Sequence, residues 1–156
     1  MTAADRPARE RLVGTWRFVK YVNTDATGQA TYPFGETPSG FIVWDNTGHV
    51  FVQVARPPDL AAFSAGRDLD GTDSEVRAAF ERYDAYFGTY TVDEMQHVVV
   101  HRVLTTLRPS YAGTEQRRPF RFQSDSTLIL EFSFRGSSFY RELQRMTGAR
   151  EGMHPH

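Results

Sequence analysis

His101 and Tyr90 are the side chains whose types and spacing best suit chemistry on a small molecule. They lie on two segments, Tyr86–Val92 and His97–Leu107, that alternate in polarity on either side of Asp-Glu-Met-Gln. With that tetrapeptide as a hairpin turn, Val92 pairs with His97, Tyr90 with Val99, Gly88 with His101 and Tyr86 with Val103. Paired residues share a face, so Tyr86, Tyr90, His101 and their valines form the more aromatic, apolar and hence inner side. Gly88 opposite His101 leaves room beside the imidazole, and Tyr90 is its diagonal neighbour. An imidazole titrating near neutrality beside a phenol can act as general acid or base, or orient a ligand's carbonyl. The same pair also fits a purely structural role, a core histidine satisfied by a tyrosine hydroxyl.

Other reactive groups are sparse. There are 0 Cys, which removes thiol nucleophiles, disulfides and Cys–zinc sites together. Lys20 is the only lysine; buried, it would have a lowered pKa and could serve as a base or imine former, but near a strand end its stem can reach solvent. Gln53 can offer a ligand hydrogen bond if its face of a hairpin turns inward. Arg141 and Arg145 are in phase on the last strand, where a guanidinium can bind an anion or stack on an aromatic ring. His97 and His101, four apart on a strand, are separated by roughly 13 Å, too far to share a metal. His154 and His156 lie in a polar tail, so no metal site is expected. No glycine-rich nucleotide or phosphate motif occurs, and no cofactor is expected; haem ligation through His101 is a minor option.

The elements that must hold these residues are mostly strands. Leu12–Val22 carries Trp16, Phe18 and Lys20 on one face. A long turn region rich in Gly, Pro and Thr follows. Phe41–Trp44 and His49–Ala55 flank Asp-Asn-Thr-Gly as a hairpin whose faces are ambiguous. Phe41, Val43, Val50, Val52 and Val54 form an apolar side, and Ile42, Trp44, His49, Phe51 and Gln53 a mixed one. If the mixed side is outer, Trp44, Ile42 and Phe51 make an exposed patch suited to a homodimer contact or to docking of the helix. Thr72 and Glu75 fit a capping box, and Val76, Phe80 and Tyr83 fall at helical spacing, so one helix is expected over about 72–86 with its apolar stripe on the barrel. Arg117–Gln123 and Thr127–Arg135 form a further hairpin, and Ser138–Met146 the last strand. About eight sequential antiparallel strands make an all-β, up-and-down barrel with one inserted helix, because closure leaves no open edge. A two-sheet sandwich is the alternative.

The chain has 156 residues, enough for a single domain over 1–156 with its core at about 12–146 and flexible ends. Its net charge of -1 leaves no basic surplus for nucleic acid. No apolar run suits a membrane span or signal peptide, so a soluble, cytoplasmic protein is expected. The 12 Phe and 7 Tyr are plentiful enough to line an apolar cavity. The preference for Arg over Lys is common in high-GC bacterial genomes.

Several motifs occur in a telling order: LVGTW at 12–16, YPFGETPSG at 32–40, GHVFVQVARP at 48–57, YDAYFGTYTVDE at 83–94, and VVVHR with LRPSYAGTEQRR through 118. Together they resemble the bacterial and fungal lipocalin-like domain family, often met near secondary-metabolism genes. The chain departs from that family's usual pattern at Phe51, at Lys20 and in the loosely similar FYRELQRM. The resemblance implies an eight-stranded antiparallel barrel with a ligand-sized cavity. It also implies that Trp16 plugs one end, with an arginine of the last strand stacked on it, and that Phe18 and Lys20 face inward.

The expected function is binding of a small, largely apolar organic molecule in the barrel, by Trp16, Phe18, Lys20, Gln53, Tyr86, Tyr90, His101 and Arg141. A carrier and a cofactor-independent cyclase or isomerase, with His101 and Tyr90 catalytic, both remain open. The alternative is a structural or protein-interaction barrel filled by its own side chains. The volume of the lumen separates these readings.

Overall fold

A computed structural model describes residues 2–148. The chain runs as α1 (Ala8–Leu12), β1 (Gly14–Thr24), β2 (Ala30–Thr31), β3 (Ser39–Trp44), β4 (His49–Ala55), α2 (Asp73–Glu81), β5 (Tyr83–Asp93), β6 (Val98–Thr106), β7 (Glu115–Phe122), β8 (Thr127–Phe134) and β9 (Ser137–Arg145). Neighbours pair antiparallel in the order β1-β3-β4-β5-β6-β7-β8-β9, and β9 returns to β1 over Trp16–Thr24. The sheet is therefore a closed eight-stranded up-and-down barrel, with short β2 added beside the upper end of β1. Among the described residues no helix is long and apolar enough to cross a membrane.

Closure divides the interior into a packed lower half and a more open upper half. At the lower end, Trp16 is 0% exposed, its indole donates to the Leu12 carbonyl at 2.8 Å, and the Arg145 guanidinium lies 4.3 Å from its ring centroid. The amides of Ala8 and Arg9 donate to the Glu94 carboxylate at 2.7 and 2.9 Å. That bond ties α1 to the β5–β6 turn and sets Leu12 under the barrel. The N-terminal segment, expected to be flexible, thus folds as the lower cover. The C-terminal tail at 150–156 lies outside the described residues.

Three local devices decide which side chains point inward. The β3–β4 connection is an odd, three-residue loop: Asp45 accepts the His49 and Thr47 amides on its carboxylate, and Gly48 takes φ +88. Trp44 therefore pairs with Val50 rather than His49, and Ile42, Trp44, Val50, Val52 and Val54 line the core. In β1 the ladder skips Val19 against β9, a bulge that reverses the alternation, so Tyr21 and Asn23 turn inward. In β5–β6 the register breaks again between Phe87 and Gly88.

The helix is shorter than the spacing predicts. Thr72 and Glu75 do form the capping box, but α2 ends at Glu81, and Tyr83 already belongs to β5. Val76 is 48% and Phe80 41% exposed, so the apolar stripe is not buried on the barrel wall. Phe80 is instead covered on one side by the Arg108 guanidinium, 3.9 Å from its ring, which also donates to the Phe80 and Tyr83 carbonyls.

Candidate functional site

An internal space of about 260 Å3 occupies the upper barrel. Phe18, Ile42, Val52, Val54, Leu130, Phe132 and Phe139 supply its apolar wall, and Tyr21, Asn23, Asp84, Tyr86, His101, Tyr111, Arg118 and Arg141 its polar groups. It falls just short of the roughly 300 Å3 at which small-molecule pockets commonly begin.

Its floor is a hydrogen-bonded chain. The Trp44 indole N–H donates to His101 Nε2 at 2.9 Å, and His101 Nδ1 meets the Tyr86 hydroxyl at 2.7 Å. An indole can only donate, so Nε2 must hold the lone pair and the neutral ring must carry its proton on Nδ1. Nδ1–H then donates to Tyr86 Oη, which leaves the phenolic proton to be offered elsewhere. Among the described residues no other acceptor takes it, and Tyr86 lines the cavity. Burial, helped by the charge of Arg118, pushes the His101 pKa down to about 3, and burial pushes the Tyr86 phenol up. His101 therefore remains neutral near neutral pH with both ring nitrogens committed. It is neither a poised general base nor a free ligand for haem iron.

Tyr90 is directly opposite His101 in the ladder, yet its hydroxyl donates downward to the Asp45 carbonyl at 2.7 Å. It does not line the cavity, so the expected Tyr90–His101 couple is replaced by Tyr86–His101. The reason is register. Asp93 accepts the Met95 and Gln96 amides on its side chain, and His97 adopts φ 55, so the turn is displaced by one residue. Val92 then pairs with Val99, and the partners of Tyr90 and Gly88 also move by two. Beyond the bulge Tyr86 pairs with Thr106, three residues past the expected Val103. Gly88 does not leave room beside the imidazole either. A Cβ there would stand 1.9 Å from the Arg102 carbonyl oxygen, because the β6 backbone bulges across that spot.

The remaining expected residues separate. Phe18, Tyr86, His101 and Arg141 line the cavity. Trp16 is a plug below it, with Arg145 as its stacking partner. Lys20 is exposed, turned out by the β1 bulge, and Gln53 is exposed on the outer wall, where it accepts from the Tyr83 hydroxyl. Sequence reasoning missed Tyr21, Asn23, Asp84, Tyr111 and Arg118. Arg118 was within reach of period-two reading, since it shares a face with buried Phe120; Tyr21 was not, because only the bulge turns it in. Arg141 lies 3.4 Å over the Tyr21 ring and donates through Nη1 to Asn23 Oδ1 at 2.8 Å. Asp84 sits 3.6 Å from Arg108, and burial raises its pKa.

The lipocalin-like domain sequence model matches residues 13–147. The chain belongs to the lipocalin-like domain family. This lipocalin-like chain is also similar to a 4'-hydroxy-3'-methoxypropiophenone carrier protein of Aspergillus oryzae, at 37% identity over 71 residues. That match covers 42% of the lipocalin-like chain and 61% of the fungal protein. Among solved structures, a redesigned β-barrel matches at 16% identity and TM-score 0.46, over 91% of this chain and 97% of its own. A de novo designed fluorescence-activating β-barrel matches at 12% identity and TM-score 0.44, over 90% and 99%.

Proposed function

We propose that this protein is a carrier for a small, one-ring aromatic molecule, whose carbonyl or ether oxygen accepts a hydrogen bond from Tyr86 in the upper barrel. The observation that carries this reading is the Trp44–His101–Tyr86 chain, which leaves a phenolic proton uncommitted on a residue that lines a cavity rich in aromatic side chains. Aromatic walls supply affinity and a few polar groups, Tyr86 among them, supply orientation, the usual division of labour in such pockets. The volume of about 260 Å3 speaks against an interior filled by its own side chains. The fungal relative's name points to a phenolic ketone, a class with this ring and this acceptor.

A cofactor-independent cyclase or isomerase is the second reading. Neutral, doubly bonded His101 is unsuited to be its base. Such an enzyme would act by holding a reactive substrate in shape and polarising a carbonyl through Tyr86. Titration with 4'-hydroxy-3'-methoxypropiophenone, followed by tryptophan fluorescence, tests the carrier reading. Binding should weaken about two- to tenfold in Tyr86→Phe, the worth of one neutral hydrogen bond, and stay unchanged in Lys20→Ala. No saturable binding by the wild-type protein, or equal binding by Tyr86→Phe, would reject it.

A further inference from the structure

We propose that the cavity is built for an organic acid, with Arg118 and Arg141 receiving a carboxylate at the opposite end of the ligand from Tyr86. This rests on the cavity-binding reading above and adds the charge of the ligand to it.

The argument is one of unbalanced charge. Arg118 on β7 and Arg141 on β9 flank β8, and both line the cavity. The Arg118 guanidinium lies 4.3 Å from the Phe132 ring centroid, Phe132 stacks on Phe139 at 4.9 Å, and Arg141 lies 3.4 Å over Tyr21. Two cations are thus spread along an aromatic wall. Among the described residues neither forms an ion pair with a carboxylate. The cavity's own carboxylate, Asp84, is already opposed by Arg108.

Arg141 is only 9% exposed. Its Nη1 is oriented by the Val22 and Tyr140 carbonyls and by Asn23 Oδ1, neutral oxygens that fix its direction without cancelling its charge. Burying a cation in this way is costly unless an anion compensates it. Arg145 stacks on Trp16 to close the lower end, whereas Arg141 stacks on Tyr21 in the cavity wall itself, a neutral ring that leaves its charge uncompensated. Burial above all, and the charge of Arg118 in addition, lower the pKa of both Arg141 and His101. A carboxylate is the matching guest, since its two oxygens can accept from guanidinium N–H groups together.

Two probes of nearly equal shape test this: para-acetylbenzoate and para-diacetylbenzene. They share the ring and a ketone for Tyr86 and differ by a carboxylate in place of an acetyl group. By isothermal titration, the wild-type protein should bind the acid at least about tenfold more tightly than the diketone, the worth of a charge-assisted contact. Arg141→Gln and, independently, the half-buried Arg118→Gln should each cut that preference to about threefold or less. Affinity for the diketone should fall by clearly less than that for the acid, with the circular dichroism spectrum retained. Equal binding of the two probes by the wild type overturns the organic-acid proposal and leaves the carrier reading standing. A preference for the acid that survives both substitutions overturns the assignment to these arginines. Absence of binding by either probe overturns both readings.

Discussion

The Trp44 indole stands 2.9 Å from His101 Nε2 and donates its proton there, so a residue on β3 sets the tautomer of a residue on β6. The consequence passes through the ring to Tyr86, 2.7 Å from Nδ1. A histidine that looks like an acid–base catalyst in sequence becomes a fixed hydrogen-bond relay, and its neighbour Tyr86 becomes the cavity-lining hydroxyl whose proton is uncommitted.

Acid should weaken the fold through this ring. His101 holds its pKa near 3 in the folded protein against an ordinary 6.5, so between these values the unfolded chain binds more protons. Its contribution to stability is complete above about pH 6.5 and shrinks as pH falls toward 3, by up to about 1.4 kcal/mol per pH unit. Urea unfolding of the wild type and His101→Gln at a series of pH values measures it. The stability gap between them should narrow on acidification. A gap independent of pH would mean the ring is not held neutral.

Tyr90 and Tyr86 should part company on mutation to Phe. Tyr90→Phe loses the bond to the Asp45 carbonyl and should cost about 0.5–1.5 kcal/mol of stability with no effect on ligand affinity. Tyr86→Phe strands the His101 Nδ1–H and should cost about 1–3 kcal/mol as well as weakening ligand binding. Paired thermal unfolding and titration distinguish them; a binding defect in Tyr90→Phe would return that residue to the site.

Trp16→Ala should destabilise by about 3–5 kcal/mol, because a fully buried ring is lost under the barrel. Arg145→Met should lose the smaller cation–π share, about 0.5–2 kcal/mol, together with its bonds to the Val13 and Arg11 carbonyls. Denaturant midpoints report both. An unshifted midpoint in Trp16→Ala would remove its closing role.

Gly88→Ala should be poorly tolerated although Gly88 has an inward face. The added Cβ would meet the Arg102 carbonyl oxygen and the Leu104 amide nitrogen, both backbone atoms that cannot rotate away. A cost of at least about 1–3 kcal/mol is expected, visible as a lower melting temperature. If Gly88 simply left space for a ligand, the same substitution would spare stability and impair only binding.

Much of the barrel was legible because strand alternation is a local property. Strand order, the hairpins, the Thr72–Glu75 capping box and the inward faces of β5 and β6 follow from residue types at period two and from turn chemistry. Between Gly88 and Val92 the β5–β6 register differed from the simplest pairing by two residues, a shift that leaves side chains on the same face. The bulge beyond it lies in β6 and leaves the alternation of β5 intact. Tyr86 and His101 were therefore placed inside correctly, although their partners were not.

Odd displacements behave in the opposite way. One extra loop residue between β3 and β4, one bulged residue at Val19 in β1 and a bulge in β6 each exchange inside for outside or drive backbone into apparent space. Those details put Gln53 and Lys20 outside, brought Trp44 and Tyr21 in and filled the gap at Gly88. Alternation along a strand was thus determined by the sequence itself. The origin from which alternation is counted was decided by the tertiary structure, because turn hydrogen bonds and barrel closure set it through contacts between residues far apart in the chain.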